Sequence, residues 1–272
     1  LGFEYPLDYG DGPILNQALR VVQGKPLYPE GVASPPYLVS NYPPIYVLIN
    51  AFFVALFGPH LAIGRLVSFL STLGGAVMIS LIIRHFSGPK RLLPMLAGSS
   101  IFLITPYVLE WSPLFRTDML GLFLSLSGLY LLIRNPAKNS NVLFAAALFI
   151  LAAYTRQSFG LAAPFAGIVY AFIKDKRGAL KLILAYGLGG LAIFGLLYWV
   201  TDGAFFFHII SANVNAFRWE TVWNFAKDIL TKMPFILLLA GLYLAVGWRL
   251  TKTYALLYPY LLASALAALT IG

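Results

Sequence analysis

Several apolar runs in this chain are long enough to cross a lipid bilayer. Residues 61–83 and 180–200 each supply the roughly 20 mostly apolar residues that a helix needs to span the hydrocarbon core. Only 11% of all residues are charged, against about 25% in soluble proteins. Because a spanning segment must satisfy its backbone hydrogen bonds internally, such runs fold as helices. The sequence therefore predicts an all-α fold, a polytopic transmembrane helical bundle.

Eight apolar segments follow one another along the chain, and no long polar linker divides them. We expect residues 61–272 to form one integrated bundle with an external loop at 201–232, and residues 1–60 to form an external region with amphipathic juxtamembrane helices. The first residue is Leu and the last apolar run reaches the end of the chain, so we also expect a missing upstream helix and a missing downstream portion. The predicted segments are 61–83, 92–109, 118–133, 142–155, 158–173, 180–200, 233–248 and 253–272.

The charged residues between these segments fall into two sets. The first has eleven Lys and Arg in short loops with a single acid, Asp175, whereas the second has eight Lys and Arg and nine of the ten carboxylates. The positive-inside rule places the first set in the cytoplasm and the second on the extracytoplasmic side of a plasma (inner) membrane, where we expect the active site. This bias accounts for the net charge of +9 without a nucleic-acid partner. The basic set is Arg84, Lys90, Arg91, Arg134, Lys138, Lys174, Lys176, Arg177, Lys181, Arg249 and Lys252, and the nine acids are Glu4, Asp8, Asp11, Glu30, Glu110, Asp118, Asp202, Glu220 and Asp228.

Two of these acids precede an amphipathic helix in the external N-terminal region. Apolar residues recur at helical spacing from Ile14 to Val22, and Gly24 ends the pattern. Asp8 and Asp11 lie in a glycine-flanked loop before this helix, where an acid can simply complement the helix dipole. Charge near lipid is costly, and the rest of the chain avoids acids, so we expect at least one of the two to be functional.

The chain between this helix and residue 61 is extended at first and then apolar. Pro and Tyr are frequent in Lys25–Pro29 and Ser34–Tyr37, which predicts extended backbone. Pro44–Phe57 is apolar and aromatic but has only 14 residues, which is too short for a span. We therefore predict an interfacial or re-entrant helix at this position.

Two further charged residues lie at the ends of predicted helices. Asp118 begins a transmembrane segment, where it either caps the helix or pairs with Arg116. Arg156 separates two apolar segments, and a permanent charge so close to lipid is usually functional or paired. Its planar guanidinium suits phosphate recognition, and the alternative is an ion pair with Asp118 or Asp11.

The order of these motifs resembles a family of membrane enzymes, the GT-C glycosyltransferases. Over residues 5–175 the resemblance is to the glycosyltransferase 39-type branch, which holds the protein O-mannosyltransferases and the lipid A aminoarabinose transferases. It implies a GT-C type bundle that transfers a hexosyl or pentosyl group, with inversion, from a polyprenyl-phosphate sugar donor to a lipid, glycan or protein acceptor. The motifs that follow the acidic pair are Tyr42-Pro43-Pro44-Ile45-Tyr46, Gly64-Arg65-Leu66-Val67-Ser68, Arg116-Thr117-Asp118-Met119-Leu120 and Tyr154-Thr155-Arg156-Gln157-Ser158.

The resemblance also implies roles for individual residues. The family's first external acid, which is the catalytic base or orients the acceptor, matches Asp11 best, with Asp8 as the alternative. Its second acid matches Asp118, and its contact to the lipid phosphate matches Arg156. The other candidates for binding substrate or lipid phosphate are Arg116, Tyr42, Asn41 and His208.

Asn41 stands where the family often has a carboxylate that joins a His in binding a divalent metal. This departure puts a metal in doubt, so we assign no metal ligand and no cofactor. His208, in the aromatic loop 201–232, either is a satisfied interfacial residue or lines the acceptor site, and no HxxE or HxH spacing accompanies it.

The alternative function is a secondary transporter or channel with an external cation or substrate site. Transporters are typically built from paired repeats with broken helices near the midplane, and this chain shows no such repeat. A purely structural membrane scaffold gives no reason for Asp8, Asp11, Asp118 and Arg156.

Overall fold

The computed structural model describes residues 2–30, 32, 38–88, 91–214, 216–250 and 253–269. These residues form helices and no strand, which confirms the predicted all-α fold. The stretch Ser34–Tyr37 and the basic residues Lys90 and Lys252 lie outside the described residues. The helices are α1 (Asp11–Val22), α2 (Pro44–Phe57), α3 (Leu61–Ser87), α4 (Leu92–Ile104), α5 (Pro106–Trp111), α6 (Asp118–Arg134), α7 (Asn139–Ala153), α8 (Ala162–Lys174), α9 (Lys176–Val200), α10 (Ala204–Ile209), α11 (Trp219–Lys232), α12 (Pro234–Leu250) and α13 (Tyr254–Leu269), with 3₁₀ turns at Gln157–Gly160 and Ser211–Asn213.

Two of the described helices are each long and apolar enough to cross a membrane by length and composition. They are α3, with 27 residues, and α9, with 25 residues. The pair α11 and α12 passes the same test as a single span, but the two axes are bent by 97° where Met233 separates them. The shorter apolar helices, which include α2, α4 and α7, complete a helical polytopic bundle.

Prolines set several of the helix boundaries. The predicted helix Pro44–Phe57 begins and ends at those residues, with Pro44 at its first position, where a missing N–H costs nothing. The predicted segment 92–109 is divided into α4 and α5 because Pro106 cannot continue the hydrogen bonds of α4. The external loop predicted at 201–232 contains α10 and α11.

The two ends of the bundle differ in chemistry. At one end, Nζ of Lys181 lies 2.6 Å from Oδ1 of Asn139, and Asn141 donates to the backbone oxygen of Leu131, so basic loops meet there. At the other end lie the first turns of α3 and α6 and the last turn of α7, because α3 packs on α6 and α6 on α7. The residues singled out as site candidates gather at this second end.

The head of α3 is packed closely against the chain that leads into α6. Gly64 lies so near Phe115 that a methyl group on its Cα would approach the Phe115 ring to 2.1 Å. The Phe115 side chain is fully buried and stacks edge-on against Tyr46 of α2. This contact fixes the backbone immediately before Arg116.

Candidate active site

Asp11 is the first residue of α1, and its side chain is 0% exposed. Its Oδ2 accepts a hydrogen bond from the backbone N–H of Leu7 at 3.1 Å and pairs with Nη2 of Arg65 at 2.9 Å. Its Oδ1 accepts from the backbone N–H of Phe115 at 2.9 Å. The Arg65 side chain is also 0% exposed, so the two form a fully buried ion pair.

Asp8 occupies a different environment three residues earlier. Its Oδ2 accepts from the N–H of Gly10 at 3.0 Å and lies 3.3 Å from Nε of Arg116. The Asp8 side chain is 18% exposed, so part of the carboxylate faces solvent. Of the two N-terminal acids, Asp8 is the accessible one.

Arg116 is held between two aromatic rings. Its guanidinium carbon lies 4.8 Å from the ring centroids of both Tyr9 and Trp111, and Nη2 donates to the Tyr9 hydroxyl at 3.2 Å. Oγ of Ser68 donates to the backbone oxygen of Arg116 at 3.0 Å. A methyl group on Gly10 would lie 2.0 Å from Nη1 of Arg116, so only glycine fits there without displacing the guanidinium.

Arg156 forms an ion pair with Asp118, which was one of the alternatives that the sequence left open. The bond runs from Nη1 of Arg156 to Oδ1 of Asp118 and joins the end of α7 to the first turn of α6. The Arg156 side chain remains 27% exposed. The other carboxylate oxygen of Asp118, Oδ2, is buried and has no hydrogen-bond partner among the described residues.

The charge of Arg116 affects the guanidinium of Arg156. Burial lowers the pKa of the Arg156 guanidinium; Tyr42 raises it, and the positive charge of Arg116 lowers it further. The group remains a cation, since arginine does not lose its proton in proteins. The Tyr42 ring centroid lies 5.8 Å from the Arg156 guanidinium carbon. Two cations and two carboxylates, Asp8 and Asp118, thus form one polar cluster.

The other two predicted residues, Asn41 and His208, have different surroundings. Asn41 is exposed, and its backbone oxygen accepts from Nε2 of Gln157 at 3.2 Å, so it borders Arg156. His208 is fully buried, with Nδ1 accepting from the N–H of Ser40 at 3.1 Å and Nε2 lying 2.8 Å from the oxygen of Pro29. Both ring nitrogens are therefore used in fixing the N-terminal region to α10. A substrate-binding role for His208 stays a prediction.

Four residues of the site were not among the sequence candidates: Arg65, Tyr9, Trp111 and Phe115. Arg65 carried a usable signal, because a charge inside an apolar segment is usually functional or paired. The aromatic pair around Arg116 carried none, since Tyr and Trp are common at membrane interfaces.

An apolar groove of about 310 Å³ is lined partly by α9. Its other lining residues include Pro43, Tyr154 and Gln157, and Gln157 directly follows Arg156 in the chain. Gly187 and Gly190 of α9 contribute backbone but no side chain, and this leaves the groove open. We call it the α9 groove.

No curated protein and no solved structure shows significant similarity to the chain. One family model matches, and its range contains Asn41, Arg116, Asp118 and Arg156 but not Asp8 or Asp11. That match covers residues 41–199, more than half of the chain, and the chain therefore belongs to the dolichyl-phosphate-mannose-protein mannosyltransferase family and is a membrane glycosyltransferase of the mannosyltransferase type.

Proposed function

We propose that this protein transfers a sugar from a polyprenyl-phosphate donor to an acceptor on the extracytoplasmic side of the plasma (inner) membrane. The observation that carries the proposal is the cluster of Arg116 and Arg156 with Asp8 and Asp118 at one end of the bundle. Cations beside a leaving phosphate and a carboxylate beside an acceptor are the two groups that such a transfer requires.

The arginines and the α9 groove fit the two halves of the donor. Arg156 is partly exposed and offers guanidinium N–H groups to phosphate oxygens, and Arg116 adds a second positive charge. The α9 groove is apolar, and Gln157, one residue after Arg156, is among its lining residues. A polyprenyl chain in this groove would place its phosphate at the arginines.

The reaction is a single displacement with inversion. The acceptor hydroxyl or amine loses its proton to an N-terminal carboxylate, Asp11 or Asp8, and attacks the anomeric carbon. The bond between that carbon and the phosphate oxygen breaks, and the electron pair leaves with the lipid phosphate, where Arg156 and Arg116 stabilise the added charge. Asp118 orients Arg156 through their ion pair.

The family match argues against the transporter alternative. A member of a mannosyltransferase family needs no transport activity to explain its external charges. The carboxylates also lie at the ends of α1 and α6, whereas a transporter typically binds its substrate near the middle of broken helices.

The test is sugar transfer in membranes that contain the protein, with polyprenyl phosphates that carry different radiolabelled sugars. We expect labelled product from at least one donor, a large loss in Arg156→Gln, and full activity in Arg134→Gln. Arg134 is the matched control because its guanidinium lies at the basic end of the bundle, over the Tyr130 ring. Absence of transfer from every donor, or equal activity in both variants, would refute the proposal.

A further inference from the structure

Asp8 and Asp11 differ in how fully their carboxylate oxygens are hydrogen-bonded and in how exposed their side chains are. Both oxygens of Asp11 are bound, to Leu7, Arg65 and Phe115, and its side chain has no exposed surface. A base must reach the proton that it removes, directly or through one water. Asp8, 18% exposed, meets that condition better than Asp11.

Arg65 gathers the acidic segment, which we define as residues 3–11, onto the head of α3. One guanidinium nitrogen, Nη1, donates to the backbone oxygen of Phe3, and the other, Nη2, donates to the oxygen of Tyr5 at 2.7 Å and to Asp11. Without this side chain, the backbone oxygens of Phe3 and Tyr5 lose their donor, and Asp11 loses its cationic partner. Among the described residues, these are the hydrogen bonds that connect the acidic segment to α3.

The same turn of α3 also holds Arg116. Ser68, three residues after Arg65, donates to the Arg116 backbone oxygen at 3.0 Å, and Asp11 accepts from the N–H of the preceding Phe115. One helical turn therefore fixes the acidic segment from one side and Arg116 from the other. The result is the 3.3 Å approach of Asp8 to Nε of Arg116.

We propose that Arg65 and Asp11 are positioning residues whose buried ion pair holds the acidic segment against α3, so that Asp8 stands beside Arg116 as the base of the transfer. This inference rests on the proposed function for the role of Asp8, but the positioning by Arg65 and Asp11 does not. It departs from the preference for Asp11 as base that the sequence suggested.

A double-variant comparison separates the two roles of Asp11. Removing one member of a buried pair leaves an uncompensated charge, whereas neutralising both can be nearly neutral. We expect Asp11→Asn and Arg65→Gln each to lose activity, and the double variant Asp11→Asn/Arg65→Gln to lose no more than Arg65→Gln alone, because both substitutions act through one pair. The amide oxygen of Asp11→Asn can still accept from the N–H of Phe115, so we expect this variant to remain at least ~10-fold more active than Asp8→Asn. If Asp11 were the base, Asp11→Asn would be the less active of the two, and the proposal would be overturned.

Asp8→Asn is the complementary variant. We expect its kcat to fall at least ~100-fold, the usual contribution of a general base, with normal hydrogen exchange at the amides of Leu7 and Phe115. Activity within a few-fold of wild type would overturn the assignment of Asp8.

Arg65→Lys distinguishes positioning from a general loss of folding. Lysine keeps the charge but cannot bind Phe3, Tyr5 and Asp11 together from two nitrogens. We expect an intact thermal transition in detergent, faster exchange in residues 3–11, a lower kcat and an unchanged KM for the donor. A raised donor KM with an unchanged kcat, or exchange like that of the wild type, would contradict positioning. Because exchange is measured without substrate, this result stands even if no donor supports transfer.

Discussion

Arg156 and Asp118 form an ion pair that ties the end of α7 to the first turn of α6, and each side chain keeps part of its surface exposed. A partly exposed pair of this kind has little value for stability, because solvent screens its charges. The pair is therefore better explained by its place beside Arg116, Tyr42 and the α9 groove than by any stabilisation of the bundle.

Replacing Arg156 should damage catalysis more than folding. Arg156→Gln removes a cation from the leaving phosphate, and loss of one such electrostatic group typically costs about 100- to 1,000-fold in kcat. Arg156→Lys keeps the charge but not the planar fork, so we expect an intermediate rate. Steady-state kinetics and thermal unfolding of both variants check this, and a lowered unfolding temperature with unchanged kinetics would point to a structural role.

Gly10 should tolerate no side chain. Alanine at this position places a methyl group 2.0 Å from Nη1 of Arg116, so the guanidinium must leave its place between Tyr9 and Trp111. We expect Gly10→Ala to raise the KM for the donor and to lower kcat. The matched control is Gly12→Ala, two residues later in α1, whose added methyl group has no heavy atom within 4 Å. Equal kinetics in the two variants would show that Arg116 has no part in transfer.

The sequence predicted the helices well where apolar length and proline decide the outcome. α2 begins at Pro44 and ends at Phe57 as expected, because an apolar run bounded by proline and glycine has few other ways to fold. The charged clusters at the helix ends were also recognised as site candidates. These predictions depend on local sequence alone.

The burial of Asp11 could not be read from the sequence. It depends on Arg65, 54 residues away, and on the N–H of Phe115, 104 residues away. Helix periodicity gives no information on such distant partners. The choice between Asp8 and Asp11 therefore needed the packing of three separate segments.

The side of the membrane can be tested with single cysteines, since the chain contains none of its own. Glu30→Cys lies in the region predicted to be extracytoplasmic, and Lys138→Cys lies at the basic end, and both positions are exposed. We expect an impermeant maleimide to label Glu30→Cys in intact cells and Lys138→Cys only after permeabilisation. The reverse pattern would invert the predicted topology.

His208 should contribute to stability and not to substrate binding. His208→Phe keeps the ring size but leaves the N–H of Ser40 without its acceptor and the oxygen of Pro29 without its partner. Each buried group left unpaired costs about 1–3 kcal/mol. We expect a lower unfolding temperature and an unchanged substrate KM, with His60→Phe, at an exposed position, as the control. A raised KM at normal stability would instead support the substrate-binding role suggested by the sequence.

We expect a hydrogen bond from Tyr107 to hold α11 at the end of the bundle that also holds the site candidates. The Tyr107 hydroxyl donates to Oδ2 of Asp228 at 2.5 Å, and Nζ of Lys232 lies 3.2 Å from the same carboxylate oxygen and 5.1 Å from the Tyr107 ring centroid. The exposed Trp223 side chain suits the membrane interface, and the 97° bend before α12 lets α11 lie flat there.

Tyr107→Phe removes the hydroxyl and keeps the ring, so we expect α11 to become more mobile. A spin label on Trp223→Cys, the only thiol in the chain, reports this as a narrower spectrum. Tyr130→Phe, at the basic end, is the control and should leave the spectrum unchanged. If Tyr107→Phe also leaves it unchanged, the apolar face of α11 alone holds the helix in the interface, and the bond to Asp228 has no part in its placement.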